Sequence, residues 1–242
     1  MHVELTALVL GATGATGRHI LNEVLLSERF TRVGEYGRSL TPETKLPQTK
    51  GKLEQKKIDF ENLDQAAWKQ GNWDVVFIAL GTTRAAAGSA EAFERIDREY
   101  VLNAARAAKS DDPTRKQRLI YVSSSGANAK AHFLYMKSKG LTEQGLVSMG
   151  YDDVIIFRPG ALLNAERKES RIFEKIAMPL FALATQVTDR IGISVDTVGK
   201  SIRIAGELGS QGIPANLKVT ETFDSHSYTV IGNAEALKLA TL

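Results

Sequence analysis

The sequence predicts an α/β fold built on a doubly wound, mostly parallel sheet, and three observations carry that expectation. Short β-rich apolar runs alternate with amphipathic stretches through the first two thirds of the chain. The first run, Leu5 to Leu10, feeds directly into Gly11-Ala12-Thr13-Gly14-Ala15-Thr16-Gly17. Later runs also stop at glycine, Val75 to Leu80 before Gly81 and Asp153 to Arg158 before Pro159-Gly160.

Each element follows from local pattern. After the glycines, Ile20, Leu21, Val24 and Leu25 recur at helical spacing, which predicts a helix over Gly17 to Phe30 with one face on the sheet. Thr31 to Gly37 reads as the second strand, Lys57 to Phe60 as the third, Leu63 to Lys69 as a helix and Val75 to Leu80 as the fourth strand. Ala90 to Lys109 carries a long helical pattern, and Leu119 to Ser124 is the fifth strand. Tyr135 to Met149 is helical and Asp153 to Arg158 is the sixth strand. Beyond Gly160 the pattern loosens into a charged stretch, Asn164 to Arg171, and a semi-apolar one around Pro179. A substrate-covering segment at about 161–192 is expected there, within a single domain spanning 1–242. Ser194 is placed to cap a helix through Gly206, and Tyr228 to Ile231 reads as a late strand before a short terminal helix.

Composition narrows the function classes. The 242 residues are 43% hydrophobic and 24% charged, an ordinary globular balance. There is no cysteine, which excludes a thiol nucleophile, a disulfide framework and a thiolate metal site, and an intracellular home is expected. No metal site is predicted. A net charge of +3 with basic residues dispersed among acids gives no nucleic-acid footprint. The longest mostly apolar stretch, Ile176 to Ala184, contains Pro179 and is far shorter than the ~20 residues that cross a bilayer. A strand beginning at Leu5 leaves no room for a targeting peptide, so none is expected.

Between a strand and a helix, the glycines at 11, 14 and 17 allow a tight turn, close approach of backbone N–H groups to a pyrophosphate, and tight helix–sheet packing. That context predicts the Rossmann arrangement and a dinucleotide. Such folds favour NAD when an acid at the end of the second strand holds the ribose hydroxyls. Here Gly37-Arg38-Ser39 stands at that place, and the Arg38 guanidinium suits a 2′-phosphate, so NADP(H) is the expected cofactor. Glu35 lies within the strand and faces one surface of the sheet. Asp59 and Phe60 are candidates for the adenine amino group and ring, with a helix cap and a core aromatic as the alternative roles.

Tyr135 and Lys139 are four residues apart on an expected helix and share one face. They follow the strand that ends in Ser123-Ser124-Ser125, which places a hydroxyl, a phenol and an ammonium at the carboxyl edge of the sheet. Carbonyl reduction needs a hydride donor, a proton donor and hydrogen bonds to the developing alkoxide. Tyr135 is the candidate proton donor. Lys139 would favour the phenolate by its charge and bond the nicotinamide ribose. Ser124, with Ser123 as the alternative, would position the carbonyl oxygen. Asp97 and Asn103 are candidates to support the relay, or else a cap and a core polar contact.

These segments together resemble the extended and atypical short-chain dehydrogenase/reductases. The likeness runs over most of the chain and is most specific at Gly11 to Arg18, Leu80-Gly81-Thr82-Thr83-Arg84-Ala85-Ala86-Ala87-Gly88, Phe133-Leu134-Tyr135 with Lys139-Gly140, and Phe157-Arg158-Pro159-Gly160. It implies Thr13, Gly14, Ala15, Thr16, Arg38, Leu80, Gly81, Tyr135, Lys139, Leu162 and Arg171 as cofactor contacts, with Tyr135 the proton donor. Gly11, Gly17, Thr82 and Pro159 fall in the same motifs and join the expected contacts. Ser39 departs from a relative's second arginine, and the segment before Arg171 is longer by a residue. A fungal branch at the mitochondrial outer membrane implies a cytosolic protein peripheral at mitochondria. The rival expectation is a regulator that senses NADP(H) and acts through a protein partner without turnover.

Overall fold

In the computed structural model, residues 4–48, 51–63, 68, 71–164 and 192–242 are described. The strand β1 (Leu5–Leu10) is apolar almost throughout because both of its faces are covered. The helix α1 (Gly17–Leu26) follows, burying Ile20, Leu21, Val24 and Leu25. It ends four residues earlier than its apolar pattern predicts, because Phe30 opens β2 (Phe30–Gly37) and packs edge to face on Phe77, with ring centroids 5.8 Å apart.

The third strand is β3 (Leu53–Lys57) rather than Lys57 to Phe60. Parallel pairing with β2 runs from Val33↔Leu53 to Gly37↔Lys57 and stops where β2 stops. Ile58 and Phe60 are buried, but in the turn beyond the sheet's end. The helix expected over Leu63 to Lys69 lies largely outside the described residues. The strand β4 (Val75–Ile78) is followed by the short helices α2 (Arg84–Ala87) and α3 (Ala90–Glu94). A π-helical turn at Arg95–Glu99 then leads into α4 (Tyr100–Ala108), so the single long helix of the sequence pattern carries a local break. Next come β5 (Arg118–Val122), α5 (Leu134–Val147) and β6 (Asp153–Arg158).

Two short strands, β7 (Ala161–Leu163) and β8 (Gly192–Ser194), pair in parallel as a separate ladder. The covering segment expected between them lies outside the described residues over 165–191. The helix α6 (Val195–Gly212) is capped by the Ser194 hydroxyl, which accepts from Thr197 N at 3.2 Å. It runs past Gly206 with one non-helical residue, Gly209, at φ 69°. The chain closes with β9 (Val219–Phe223), β10 (His226–Gly232) and α7 (Asn233–Leu239). Periodicity predicts β10, whereas β9, a Val-Thr-Glu-Thr-Phe edge strand, gives too polar a pattern to be predicted.

The eight-stranded sheet has the order β3-β2-β1-β4-β5-β6-β10-β9, parallel except for the β10–β9 pair. One face packs α1, α6 and α7 around Ile20, Val24, Phe77, Ile202 and Leu239. The other packs α4 and α5 around Leu8, Val101, Ala104, Tyr121 and Leu146. The chain is therefore doubly wound, and the order reverses between β1 and β4. Ligands of such sheets bind beyond the strand ends at that switch point.

Candidate active site

Gly11 leaves β1 with φ +86°, a left-handed conformation natural to glycine. A Cβ there would lie 2.7 Å from the Ala79 carbonyl carbon and 2.8 Å from Leu80 N, so the loops after β1 and β4 are in contact. Gly14 N donates to Gly11 O at 3.0 Å and closes the turn. A Cβ on Gly17 would fall 2.0 Å from Gly11 O, so α1 starts pressed against the loop. Thr13 and Gly14 are exposed, Ala15 is half-buried and Thr16 is buried. Thr16 occupies the N-cap position without a side-chain cap bond, and no acid sits in the first turn. Arg18 N and His19 N donate to Gly14 O and Thr16 O, so what the helix start offers an anion is the positive end of its dipole.

At the end of β2, Arg38 and Ser39 are exposed. Ile58 N donates to Gly37 O at 3.0 Å, which brings the Asp59 to Asn62 turn beside Arg38. The Asp59 carboxylate is already engaged, accepting from Asn62 Nδ2 at 2.9 Å and Glu61 N at 3.0 Å, and these bonds hold its pKa below the usual carboxylate value. Phe60 is buried and stacked on Tyr100, with centroids 5.2 Å apart and planes at 12°. Tyr100 in turn donates to Glu61. Glu35 is buried within β2 and accepts from Thr41 N, Thr41 Oγ1 and Gln55 Nε2 at 2.7 to 2.8 Å. Those bonds occupy this acid, and the exposed charge that follows β2 is Arg38.

The chemical end lies between β4, β5 and α5. Tyr135 is 45% exposed in the first turn of α5, with its ring 6.2 Å from that of Phe93. Lys139, one turn on, is buried, and its Nζ lies 6.0 Å from the Tyr135 ring centroid. The ammonium donates to Tyr121 Oη at 3.0 Å and pairs with Asp97 Oδ1 at 3.1 Å. Burial disfavours its charge, but Tyr121, Asp97 and Tyr135 outweigh that cost and raise its pKa above the usual lysine value. Burial likewise pushes the Tyr121 phenol up, against the opposing pull of Lys139. Asp97, fully buried in the π-helical turn, also accepts from Thr82 N and Ser138 Oγ, each at 3.4 Å. A Cβ on Gly81 would sit 3.1 Å from Asp97 Oδ1 and 3.3 Å from Lys139 Nζ, so this glycine lies directly against the ion pair.

The serines following β5 differ. Ser123 donates its hydroxyl to Glu143 Oε1, whereas Ser124 Oγ is buried with no hydrogen-bond partner among the described residues. Ser125 N donates to Pro159 O at 2.8 Å, and Gly160 N donates to Asn233 Oδ1 at 2.8 Å, which tie the loops after β5 and β6 together. Leu80 packs on the α4 and α5 side of the core, and Leu162 pairs with Ile193 across the β7–β8 ladder. Arg171 lies outside the described residues. Asn103 is exposed and accepts from Arg106, so it takes no part in the relay considered for it. Tyr121 and Tyr100 escape the sequence reading because each looks like an ordinary core aromatic.

A glycine cradle at an uncapped helix start, an exposed arginine after β2 and an unpartnered buried hydroxyl beyond β5 fit the phosphates, adenosine and reactive end of a dinucleotide. The opposite sheet edge holds a cleft of about 590 Å³, but its walls carry the pairs Arg115–Asp74 and Arg118–Asp153, both 2.7 Å. Those charges neutralise one another.

Residues 11–181 match the family model described as NAD(P)H-binding. The chain is 39% identical to protein HTATIP2 of Rattus norvegicus, over 73% of this chain and 70% of that one. It is 33% identical to protein FMP52, mitochondrial, of Candida albicans, over 98% of both. Its fold resembles Bordetella bronchiseptica WbmF in complex with NAD+, with a TM-score of 0.64 at 16% identity, covering 99% of this chain and 77% of that one. It also resembles the PhqB reductase domain of Penicillium fellutanum, with a TM-score of 0.61 at 16% identity, covering 85% and 65%. With its glycine cradle, switch point and relatives taken together, the chain belongs to the NAD(P)H-binding family.

Proposed function

We propose that the protein is an NADP(H)-dependent oxidoreductase that reduces a small carbonyl compound. The observation that carries this reading is the pair on one turn of α5: a solvent-facing Tyr135 phenol above a buried, charged Lys139. When bound, the cofactor supplies the hydride that adds to the carbonyl carbon. Tyr135 donates its proton to the carbonyl oxygen as negative charge develops there, and the unpartnered Ser124 hydroxyl donates a hydrogen bond to the same oxygen. Lys139 steadies the phenolate left behind, which solvent reprotonates through the exposed side of Tyr135. Gly11, Thr13, Gly14, Ala15, Thr16 and Gly17 hold the pyrophosphate in this reading. Arg38 takes the 2′-phosphate, supported by the engagement of Glu35 elsewhere.

Among the described residues no helix is long and apolar enough to cross a membrane. The fungal relatives are named mitochondrial, and we take that as support for peripheral association with the mitochondrial surface from the cytosol. Following NADPH oxidation across a panel of aldehydes, ketones and quinones tests the reading. Turnover of at least one class supports it. Tight NADPH binding with no turnover of any class removes the enzyme and leaves an NADP(H)-sensing regulator.

A further inference from the structure

An ammonium has three hydrogens, and in the described structure two partners face that of Lys139. One hydrogen goes to Tyr121 Oη at 3.0 Å, and Asp97 Oδ1 lies 3.1 Å from Nζ as an ion pair. The two partners come from different elements, Tyr121 from the middle of the parallel sheet in β5 and Asp97 from the π-helical turn before α4. Both are fully buried, and the side chain of Lys139 is 5% exposed, so the arrangement is shielded from competing water. Asp97 is itself held by Thr82 N and Ser138 Oγ, which ties it to the loop after β4 and to α5. A π-helical turn inserts an extra residue into a helix and is common where a side chain must be re-aimed at a functional site. Gly81 closes the remaining side, since any Cβ there would press on both charges.

We propose that Asp97 and Tyr121 are positioning residues that clamp Lys139 and orient its ammonium for the ribose of a bound nicotinamide cofactor. The clamp rests on the reading of Lys139 as a cofactor ligand. It has two consequences. With Tyr121 Oη taking one hydrogen and the Asp97 carboxylate beside the ammonium, the direction of Lys139 is set before the cofactor arrives. Its charge also depends on the clamp, because a buried lysine without a counter-charge readily loses its proton. The groups facing the ammonium are Asp97 from the π-helical turn, Tyr121 from β5 and Tyr135 from its own helix. Asp97 is the one carboxylate among them.

The test uses the full chain with lysine labelled at 13Cε, so that the Lys139 resonance reports its ionisation, together with calorimetric titration of NADPH from about pH 7 to 10.5. In the parent, Lys139 stays charged and NADPH affinity is flat through the ordinary lysine range. In Asp97→Asn, Lys139 titrates at lower pH and NADPH affinity falls about 10- to 100-fold as that pH is passed, the worth of a hydrogen bond to a charged group. Tyr121→Phe shifts the Lys139 titration in the same direction by less, and it serves alone if Asp97→Asn does not fold. Lys139→Ala weakens NADPH to a similar extent at every pH. If Lys139→Ala weakens binding while the Lys139 titration is unmoved in Tyr121→Phe and Asp97→Asn, the clamp is overturned and the ligand reading stands. If Lys139→Ala leaves NADPH affinity unchanged, the ligand reading falls and the clamp falls with it.

Discussion

Arg158 grips Glu143 through two nitrogens, with Nη2 at 2.7 Å from Oε2 and Nε at 3.1 Å from Oε1. Glu143 is buried in α5 and also accepts the Ser123 hydroxyl, so the first serine after β5 is drawn into a structural network. The next hydroxyl, on Ser124, has no partner among the described residues. An unpaired buried hydroxyl contributes little to folding, and its removal relieves a desolvation cost. Ser124→Ala is therefore expected to keep or slightly raise the Tm while lowering carbonyl turnover by about 10- to 1000-fold, the range set by loss of an oxyanion donor. Thermal unfolding and initial rates on the same preparation check both halves. A lowered Tm with full activity would reverse the assignment.

Arg38→Asp is expected to weaken NADPH while sparing or improving NADH. A guanidinium at the end of β2 recognises a 2′-phosphate, and an acid there recognises ribose hydroxyls instead. Calorimetric titration of both cofactors against both proteins decides it. Equal affinities in the parent, or an unchanged NADPH preference in the variant, would remove Arg38 from the site.

Tyr135→Phe retains the ring and loses only the transferable proton. NADPH affinity should persist, while turnover drops by about 10² to 10⁴, the usual contribution of a positioned general acid. Single-turnover rates separate this from slow product release. Parent-like rates in the variant would mean that the proton comes from another group.

Gly17→Ala should damage cofactor binding and stability together. The new Cβ would need to move a backbone oxygen that lies 2.0 Å from its ideal position. Overpacking of this kind costs about 1 to 3 kcal/mol, and a chain of this size loses roughly 2 to 4 °C of Tm per kcal/mol. Calorimetry with and without NADPH reads both effects, and a variant with unchanged Tm and affinity would contradict the contact.

Arg158 also binds Glu221, with Nη1 at 2.7 Å from Oε1, while Tyr228 donates to Glu221 Oε2 at 2.6 Å. Burial raises the Glu221 pKa, but the bonds from Arg158 and Tyr228 outweigh it and hold the pKa below the usual carboxylate value. A depressed folded-state pKa stabilises above the unfolded value, about 4.3 for glutamate, and that contribution is lost as pH falls through the lower folded value. Glu221→Gln should flatten the acid limb of stability in that window. Arg158→Leu should cost more, about 3 to 5 kcal/mol, because Glu143 would remain buried without its counter-charge. Urea unfolding across the acid range measures both, and an unchanged acid limb in Glu221→Gln would show that other carboxylates set it.

The parts legible in sequence are those where local pattern and burial agree. Leu5 to Leu10 is apolar because it is central, and Gly11, Gly14 and Gly17 stand where backbone meets backbone. β3 is misplaced because an edge strand exposes Gln55, Lys56 and Lys57, whereas the buried Ile58 and Phe60 belong to the turn beyond. β9 is missed for the same reason. The π-helical turn leaves no mark in a 3.6-residue pattern, so Asp97 and Asn103 look alike as polar positions in one long helix although one is fully buried and the other exposed. Tyr121 is hidden by its own hydrophobic surroundings, since its hydroxyl matters only through the lysine that another element brings to it.

The parallel β7–β8 ladder holds residues 161–163 and 192–194 side by side, and so joins the two ends of a long excursion. The ladder thus works as a clasp, since it fixes where the chain leaves β6 and where it enters α6 without drawing on any hydrogen bond of the eight-stranded sheet.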